Sequence, residues 1–296
     1  MGRATHANEN FMSNLISATG LAKTYGKFTA LDHVDFQIEP GRIVGLIGPN
    51  GAGKTTALRA VLGLTPYTGE LRVFDRDPFK ERARIMQDTC FIADVSVLPG
   101  WLKVSQSLDF VGGVHPKFRR ERAMSLLSKT QIKPESRIRE LSKGMKTQVH
   151  LALAMAIDAR LLVLDEPTLG LDLLARRAFY DALVNDYMDE TRTILITTHQ
   201  VEEVENLLTH VMFIERGRIV MDTPVEQIAQ RYVAIAVNPE RIEAAKAAGP
   251  FYVRPLMGKT FMYFDRPADP ALRELGEPHT PTIADLFVAK LSQGAA

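Results

Sequence analysis

The stretch Gly48-Pro49-Asn50-Gly51-Ala52-Gly53-Lys54-Thr55-Thr56 constrains this chain more than any other. It fits G-x-x-x-x-G-K-[ST] in full. Ile43-Val44-Gly45-Leu46-Ile47 precedes it, an apolar, β-branched run that reads as a buried strand. Ala57 to Leu64 follows, with Leu58, Val61, Leu62 and Leu64 at helical spacing. Strand, glycine loop and helix together form a phosphate site. Glycine lets backbone N–H groups curl around an anion, and the helix N-terminus adds partial positive charge. Lys54 supplies a full charge for β- and γ-phosphates, and the Thr55 hydroxyl is the expected Mg²⁺ ligand. The bland alternative, a glycine turn with a chance lysine, does not explain the flanking strand and helix.

A length of 296 residues allows one or two domains. Hydrophobic residues at 46% and charged residues at 24% fit an ordinary globular protein. The net charge of +1 gives no electrostatic case for nucleic acid as the main partner. Cys90 is the single cysteine, so no internal disulfide can form, which fits a reducing cytoplasm. Met1 to Asn14 lacks the apolar core of a secretory signal and is expected to be disordered. Leu151 to Leu164 is the most apolar region, but Asp158 and Arg160 break it into a helix and a strand. A membrane role would therefore act through a partner chain.

Along the chain, Val34, Phe36 and Ile38 alternate as a half-buried strand. Tyr25 sits in a polar turn before Gly26, where an aromatic face can meet a nucleobase or simply lie on the surface. Thr68 to Phe74 reads as a turn and strand, Asp77 to Arg84 as a basic helical stretch, and Phe91 to Asp94 as a short strand. Trp101, the only tryptophan, lies in a Pro-Gly loop before a helix from about Val104 to Val111. It is either a partner contact or a local packing anchor. Pro116 to Lys133 reads as one charged helix with Met124, Leu126 and Leu127 on its apolar side. Ser142 and Gly144 stand just before an Ala-rich helix, Val149 to Ala156, where free N–H groups can meet an anion.

The second strong signal is Leu161-Leu162-Val163-Leu164-Asp165-Glu166-Pro167, an apolar strand ending in two carboxylates. Asp165 at the strand tip can hold Mg²⁺ through water. Glu166, on the opposite face of an extended chain, can polarise an attacking water. Gly170-Leu171-Asp172 opens a helix from Leu173 to Val184, and Thr193 to His199 is a buried strand ending in a histidine. The C-terminal edge of a parallel sheet is where ligands bind. Phe213 to Val220 reads as a hairpin turning near Gly217. Beyond Thr223-Pro224 the composition changes. Tyr232 to Val237 reads as a strand, Pro239 to Ala248 as a short helix, Phe251 to Phe264 as a hairpin, and Pro281 to Leu291 as an amphipathic helix.

From Leu15 to Asp222 the chain resembles the nucleotide-binding subunit of an ATP-binding cassette (ABC) transporter, with the motifs in the family's order. Gly48 to Thr56 resembles Walker A, and Leu161 to Glu166 resembles Walker B. Leu141 to Met145 resembles the signature motif, Gly170 to Asp172 the D-loop, and His199 the switch histidine. The resemblance implies a P-loop α/β fold of the ABC type over residues 15–224. That unit would contain an antiparallel β subdomain and a helical subdomain at about 95–157. Residues 225–296 lie outside the resemblance; their strand and helix pattern, without clustered catalytic groups, predicts a small α+β extension that stabilises a dimer or regulates the cassette. The resemblance further implies ATP and Mg²⁺ as cofactors. The nucleotide would be held by Tyr25 stacked on adenine, by Gly48, Pro49, Asn50, Gly51, Ala52, Gly53, Lys54, Thr55 and Thr56, and by Asp172. Ser142 and Gly144 would contact ATP across a homodimer. Glu166 would be the catalytic base, His199 would contact the γ-phosphate, and Thr55 and Asp165 would hold the metal. Two departures stand out. Lys143 and Met145 replace the usual glycine and glutamine of the signature. Asp94 takes the position of the usual Q-loop glutamine, where it can touch metal or water.

The relaxed signature and short tail resemble ABC-2-type exporter cassettes. The expected partners are a second copy and a separate membrane permease, which would place the chain on the inner face of the cell membrane. A soluble ABC ATPase acting on ribosomes or DNA is the alternative. Such chains carry two cassettes or a long coiled coil, and Thr56 to Ser142 shows no sustained heptads.

Overall fold

The computed structural model describes residues 14–93, 98–169, 171–256 and 258–293. The expected disordered stretch thus falls, up to residue 13, outside the described residues, as do Asp94 and Gly170. The chain opens with β1 (Ile16–Tyr25) and β2 (Phe28–Ile38), followed by β3 (Ile43–Ile47), α1 (Lys54–Val61) and β4 (Thr68–Val73). Next come α2 (Arg82–Ile85), β5 (Thr89–Ile92), α3 (Val104–Val114), α4 (Arg120–Ser128) and α5 (Lys143–Met155). β6 (Leu161–Asp165), α6 (Leu173–Ala182), β7 (Thr193–Thr198), β8 (His210–Glu215) and β9 (Arg218–Pro224) complete the larger part. The tail is α7 (Val225–Arg231), β10 (Val233–Val237), α8 (Ile242–Ala247), β11 (Tyr252–Leu256), β12 (Lys259–Phe264), α9 (Pro270–Leu275), β13 (Gly276–His279) and α10 (Ile283–Gln293).

The main sheet runs β5-β6-β7-β3-β8-β9, parallel except for the β8–β9 hairpin. Its central strands are buried on both faces, which explains their unbroken apolar runs. Ile43 and Ile47 of β3 face one core with Leu162 and Leu164 of β6 and Ile194 and Ile196 of β7. Val44, Leu46, Leu161, Val163 and Leu195 face the other. α5, α6 and α10 cover the first face; α1 and the antiparallel sheet β2-β1-β4 cover the second. α3, α4 and α5 form a separate apolar cluster around Val104, Leu108, Leu127 and Val149. Among the described residues, no helix is long and apolar enough to cross a membrane.

The tail forms an antiparallel sheet, β11-β12-β10-β13. Val233, Ile235, Met262 and Phe264 pack there with Leu272 of α9. α10 lies back on the main body, where Phe287 meets Phe213 edge-on at 5.2 Å between ring centres.

Several elements differ from their sequence expectation. α1 starts at Lys54 and stops at Val61, because Gly63 turns left-handed (φ +64°) and Leu64 N bonds back to Arg59 O at 2.8 Å. Leu64 is therefore outside the helix. The Asp77 to Arg84 stretch is mostly turn: Asp77 Oδ1 accepts from Phe79 N (3.0 Å) and Lys80 N (3.2 Å), leaving helix only at Arg82–Ile85. α4 is shorter than the Pro116 to Lys133 pattern. Thr130 Oγ1 bonds Leu127 O at 2.7 Å and accepts from Ile132 N at 3.1 Å, which closes the helix. α5 begins earlier, with Ser142 as its N-cap. α9 and β13 have no counterpart in the sequence pattern, although Asp269-Pro270 is a good helix start: Asp269 accepts from Leu272 N at 2.8 Å.

Candidate nucleotide site

The parallel register brings three strand ends together. Ile47 lies opposite Thr198, and Asp165 opposite Thr197. The loop after β3 therefore emerges beside the ends of β6 and β7. Gly48 N donates to Thr198 O at 3.3 Å, and Gly217 N, at the β8–β9 turn, donates to Ala52 O at 2.9 Å. Two glycines are needed for this fit. A Cβ on Gly48 would lie 2.3 Å from Ile214 O, and one on Gly53, where φ is +112°, would lie 2.4 Å from Ala30 O.

Lys54 opens α1 and is only 6% exposed. Its Nζ donates to Gly48 O at 2.7 Å and Pro49 O at 3.3 Å, and pairs with Glu166 Oε1 at 3.3 Å. Burial of an ammonium requires such partners. Thr55 Oγ1 lies 3.1 Å from Asp165 Oδ2. Asp165 Oδ1 also accepts from Thr197 Oγ1 at 2.6 Å. A cavity of about 220 Å³ is lined by Asn50, Gly51, Ala52, Gly53, Lys54, Thr55, Thr56 and Glu166, with Phe28 and Ala30 at its edge.

Glu166 corrects the sequence reading. It is not on an extended chain: β6 ends at Asp165, and Glu166 has φ +47°. A left-handed residue with a Cβ costs about 1–2 kcal/mol. Glu166 N bonds Thr197 O at 3.1 Å, and Glu166 O accepts from Leu169 N at 3.1 Å, which holds the turn. The twist sends the carboxylate to His199, whose Nδ1 lies 3.0 Å from both of its oxygens. Glu166 is thus gripped by Lys54 on one side and His199 on the other.

Thr197 was missed by sequence reasoning. It is fully buried, with its hydroxyl on Asp165 and within 3.3 Å of Glu166 N. Its only signal was a polar residue inside an apolar strand. Phe28 was also missed as a lining residue. It faces Tyr25 across the first hairpin, and both rings are exposed. Tyr25 has Lys23 Nζ 4.9 Å from its ring centre. Hydrogen bonding with Thr65, aided by Thr56, Lys23 and Arg59, holds its hydroxyl below the ordinary tyrosine range.

Three further residues are not brought to this cavity. Ser142 caps α5, its Oγ accepting from Met145 N at 3.2 Å. Gly144 lies in the first turn of α5 against α6: a Cβ there would meet Ala175 at 3.6 Å. Asp172 caps α6, accepting from Ala175 N at 2.8 Å. None of the three lines the cavity around Lys54, and Gly144 and Asp172 both approach Ala175.

Thr55 and Asp165 present hard oxygen donors side by side, which suits Mg²⁺, an ion that keeps several waters and binds phosphate oxygens. Among the described residues, no group of three or more His, Cys, Asp or Glu side chains could hold a metal without such help.

Residues 31–169 match the family model described as ABC transporter. The chain is 31% identical to the Nod factor export ATP-binding protein I of Cupriavidus metallidurans, covering 89% of this chain and 90% of that protein. It is 30% identical to the bacitracin transport ATP-binding protein BcrA of Bacillus licheniformis, covering 74% and 73%. A solved ATP-binding subunit of an ABC transporter superposes with a TM-score of 0.66 at 25% identity, covering 72% of this chain and 91% of that one. With this fold and this extent of similarity, the chain belongs to the ABC transporter ATP-binding family and is one of its ATPase subunits.

Proposed function

We propose that the chain powers an ABC-2-type exporter, by hydrolysing ATP in a head-to-tail dimer that moves a separate membrane permease. The observation that carries this reading is the convergence of Lys54, Thr55, Asp165, Glu166 and His199 at adjoining strand ends. ATP lays its phosphates along the loop from Gly48 to Thr56, where backbone N–H groups and Lys54 receive them. Tyr25 stacks on the adenine, with Phe28 at the other edge of the hairpin turn. Thr55 and Asp165 would hold Mg²⁺, which offsets charge on the β- and γ-phosphates. Glu166 takes the proton of the attacking water, and His199 orients the carboxylate and reaches the γ-phosphate.

One copy leaves that phosphate open on one side. Ser142, Gly144 and Asp172 do not line the cavity of their own chain; in this reading a second copy offers them across the opposing ATP, an isologous arrangement. Leu173 and Leu174, 77% and 80% exposed beside Asp172, give that face apolar surface for a partner copy. Trp101, Phe110 and Val114 are exposed on and before α3 and are offered to the permease. Residues 225–293 brace the cassette through α10 and act as its regulatory extension. The relatives named for Nod factor export and bacitracin transport favour a transport role over ribosomes or DNA. The chain would sit peripherally on the inner membrane face.

The test is to measure ATP turnover of the purified chain and to fractionate cells that express it with and without its permease. Turnover with permease-dependent membrane association is expected. Turnover with ribosome or nucleic-acid co-sedimentation would overturn the transport reading.

A further inference from the structure

Arg176 lies in the second turn of α6, outside the nucleotide cavity, yet three chain segments converge on it. Its Nε donates to Leu171 O at 2.9 Å, the carbonyl just before Asp172. One terminal nitrogen donates to Gln200 Oε1 at 3.1 Å, and Gln200 directly follows His199. The same nitrogen pairs closely with Glu203, in the single helical turn Val201–Glu203. Glu203 is 16% exposed, and its other oxygen accepts from Thr168 Oγ1 at 2.9 Å. Thr168, itself buried, lies 3.2 Å from the Tyr180 hydroxyl. A planar guanidinium with fixed N–H directions can hold these contacts together; a lysine cannot.

We propose that Arg176, anchored by Glu203, is a positioning residue that locks His199 to the Leu171–Asp172 turn. This rests on the proposed roles of His199 and Asp172. His199 sits at the chain's own phosphate site, and Asp172 at the face offered to the second copy. Arg176 is the physical link between them. When a partner engages Asp172, the Leu171 carbonyl moves with it, and Arg176 carries that shift to Gln200 and thus to the His199 ring. Misplacing a group near the reacting atoms by about 1 Å is enough to slow chemistry, and a loss confined to kcat leaves binding intact.

The experiment compares Arg176→Lys, Gln200→Ala, His199→Ala and the double variant Arg176→Lys/His199→Ala. It measures kcat and KM for ATP, affinity for a fluorescent ATP analogue, and the thermal midpoint. Arg176→Lys is expected to lower kcat by about tenfold, with KM and analogue affinity within about twofold of wild type. Gln200→Ala, which leaves the Glu203 pair intact, should lower kcat in the same direction and keeps the test open if Arg176→Lys does not fold. In the His199→Ala background, Arg176→Lys should add nothing to the loss, because the effect runs through that ring. Wild-type kcat in folded Arg176→Lys or Gln200→Ala would overturn the proposal. A further full tenfold loss on top of His199→Ala would also overturn it. If His199→Ala itself turns over ATP at the wild-type rate, the reading of the site has failed, a result distinct from the failure of Arg176 alone.

Discussion

Lys54 is buried and makes three polar contacts within its own chain, and Thr55, Asp165 and Glu166 are each held by neighbours. At the start of α5, by contrast, Ser142 and Lys143 are exposed, and Ser142 uses its hydroxyl on its own helix. The first region is held by contacts within one copy. The second is an exposed helix start whose hydroxyl serves its own backbone. Lys143 shows the difference in electrostatic terms: a cation at the first position of a helix opposes the helix dipole, so it does nothing for the monomer's stability there. Changes at the cradle should therefore be felt by one copy alone, and changes at the α5 start only when two copies meet.

The largest effect is expected for Lys54→Ala. It removes the cation from the proposed phosphate cradle and leaves Glu166 with one partner fewer. ATP affinity should fall by roughly a hundredfold, the equivalent of about 2–3 kcal/mol for a charge-assisted hydrogen bond. Isothermal titration checks this, and unchanged affinity would remove the contrast between the two regions.

Thr197→Val should act more mildly. It keeps the strand's shape but deletes the bond that orients Asp165. A drop of about tenfold in kcat is expected, in line with about 1–1.5 kcal/mol for one hydrogen bond. Thr197→Ser should restore turnover, since the hydroxyl is the working group. Equal activity in Val and Ser variants would make Thr197 a packing residue.

Lys143→Gly should have the smallest effect. The lysine is exposed, and salt screens it. The ATP concentration for dimerisation in the Glu166→Gln background should change by no more than about threefold. ATP affinity of the isolated monomer should stay the same. Weakened monomer binding would place Lys143 on its own site and break the comparison.

The legibility of these two regions in the sequence differs for physical reasons. Gly48, Gly53 and Lys54 are readable because steric demand and charge leave few other residues possible there. The apolar runs at Ile43–Ile47, Leu161–Asp165 and Thr193–Thr198 are readable because both sheet faces are buried. The left-handed Glu166 was not readable, because nothing in its own side chain asks for that backbone. Thr197 was not readable, because its partner Asp165 lies 32 residues away on the neighbouring strand. Arg176 and Glu203 lie 27 residues apart, and only the packing of α6 beside the turn after β7 joins them. The shape of the tail was partly readable. Its α9 and β13 were hidden by weak periodicity in a short, polar stretch.

If one copy holds ATP and a second copy completes the site, nucleotide should decide the mass of the chain in solution. The most direct measurement is the solution mass of the Glu166→Gln chain by size-exclusion chromatography with light scattering, with and without ATP and Mg²⁺. A neutral amide cannot serve as general base, and kcat should fall by about 10²–10⁴-fold while ATP stays bound. A monomer is expected without nucleotide and a dimer with it, a dimer lost again when Lys54→Ala is added. A chain that binds ATP, fails to hydrolyse it and yet remains a monomer at every concentration would contradict it.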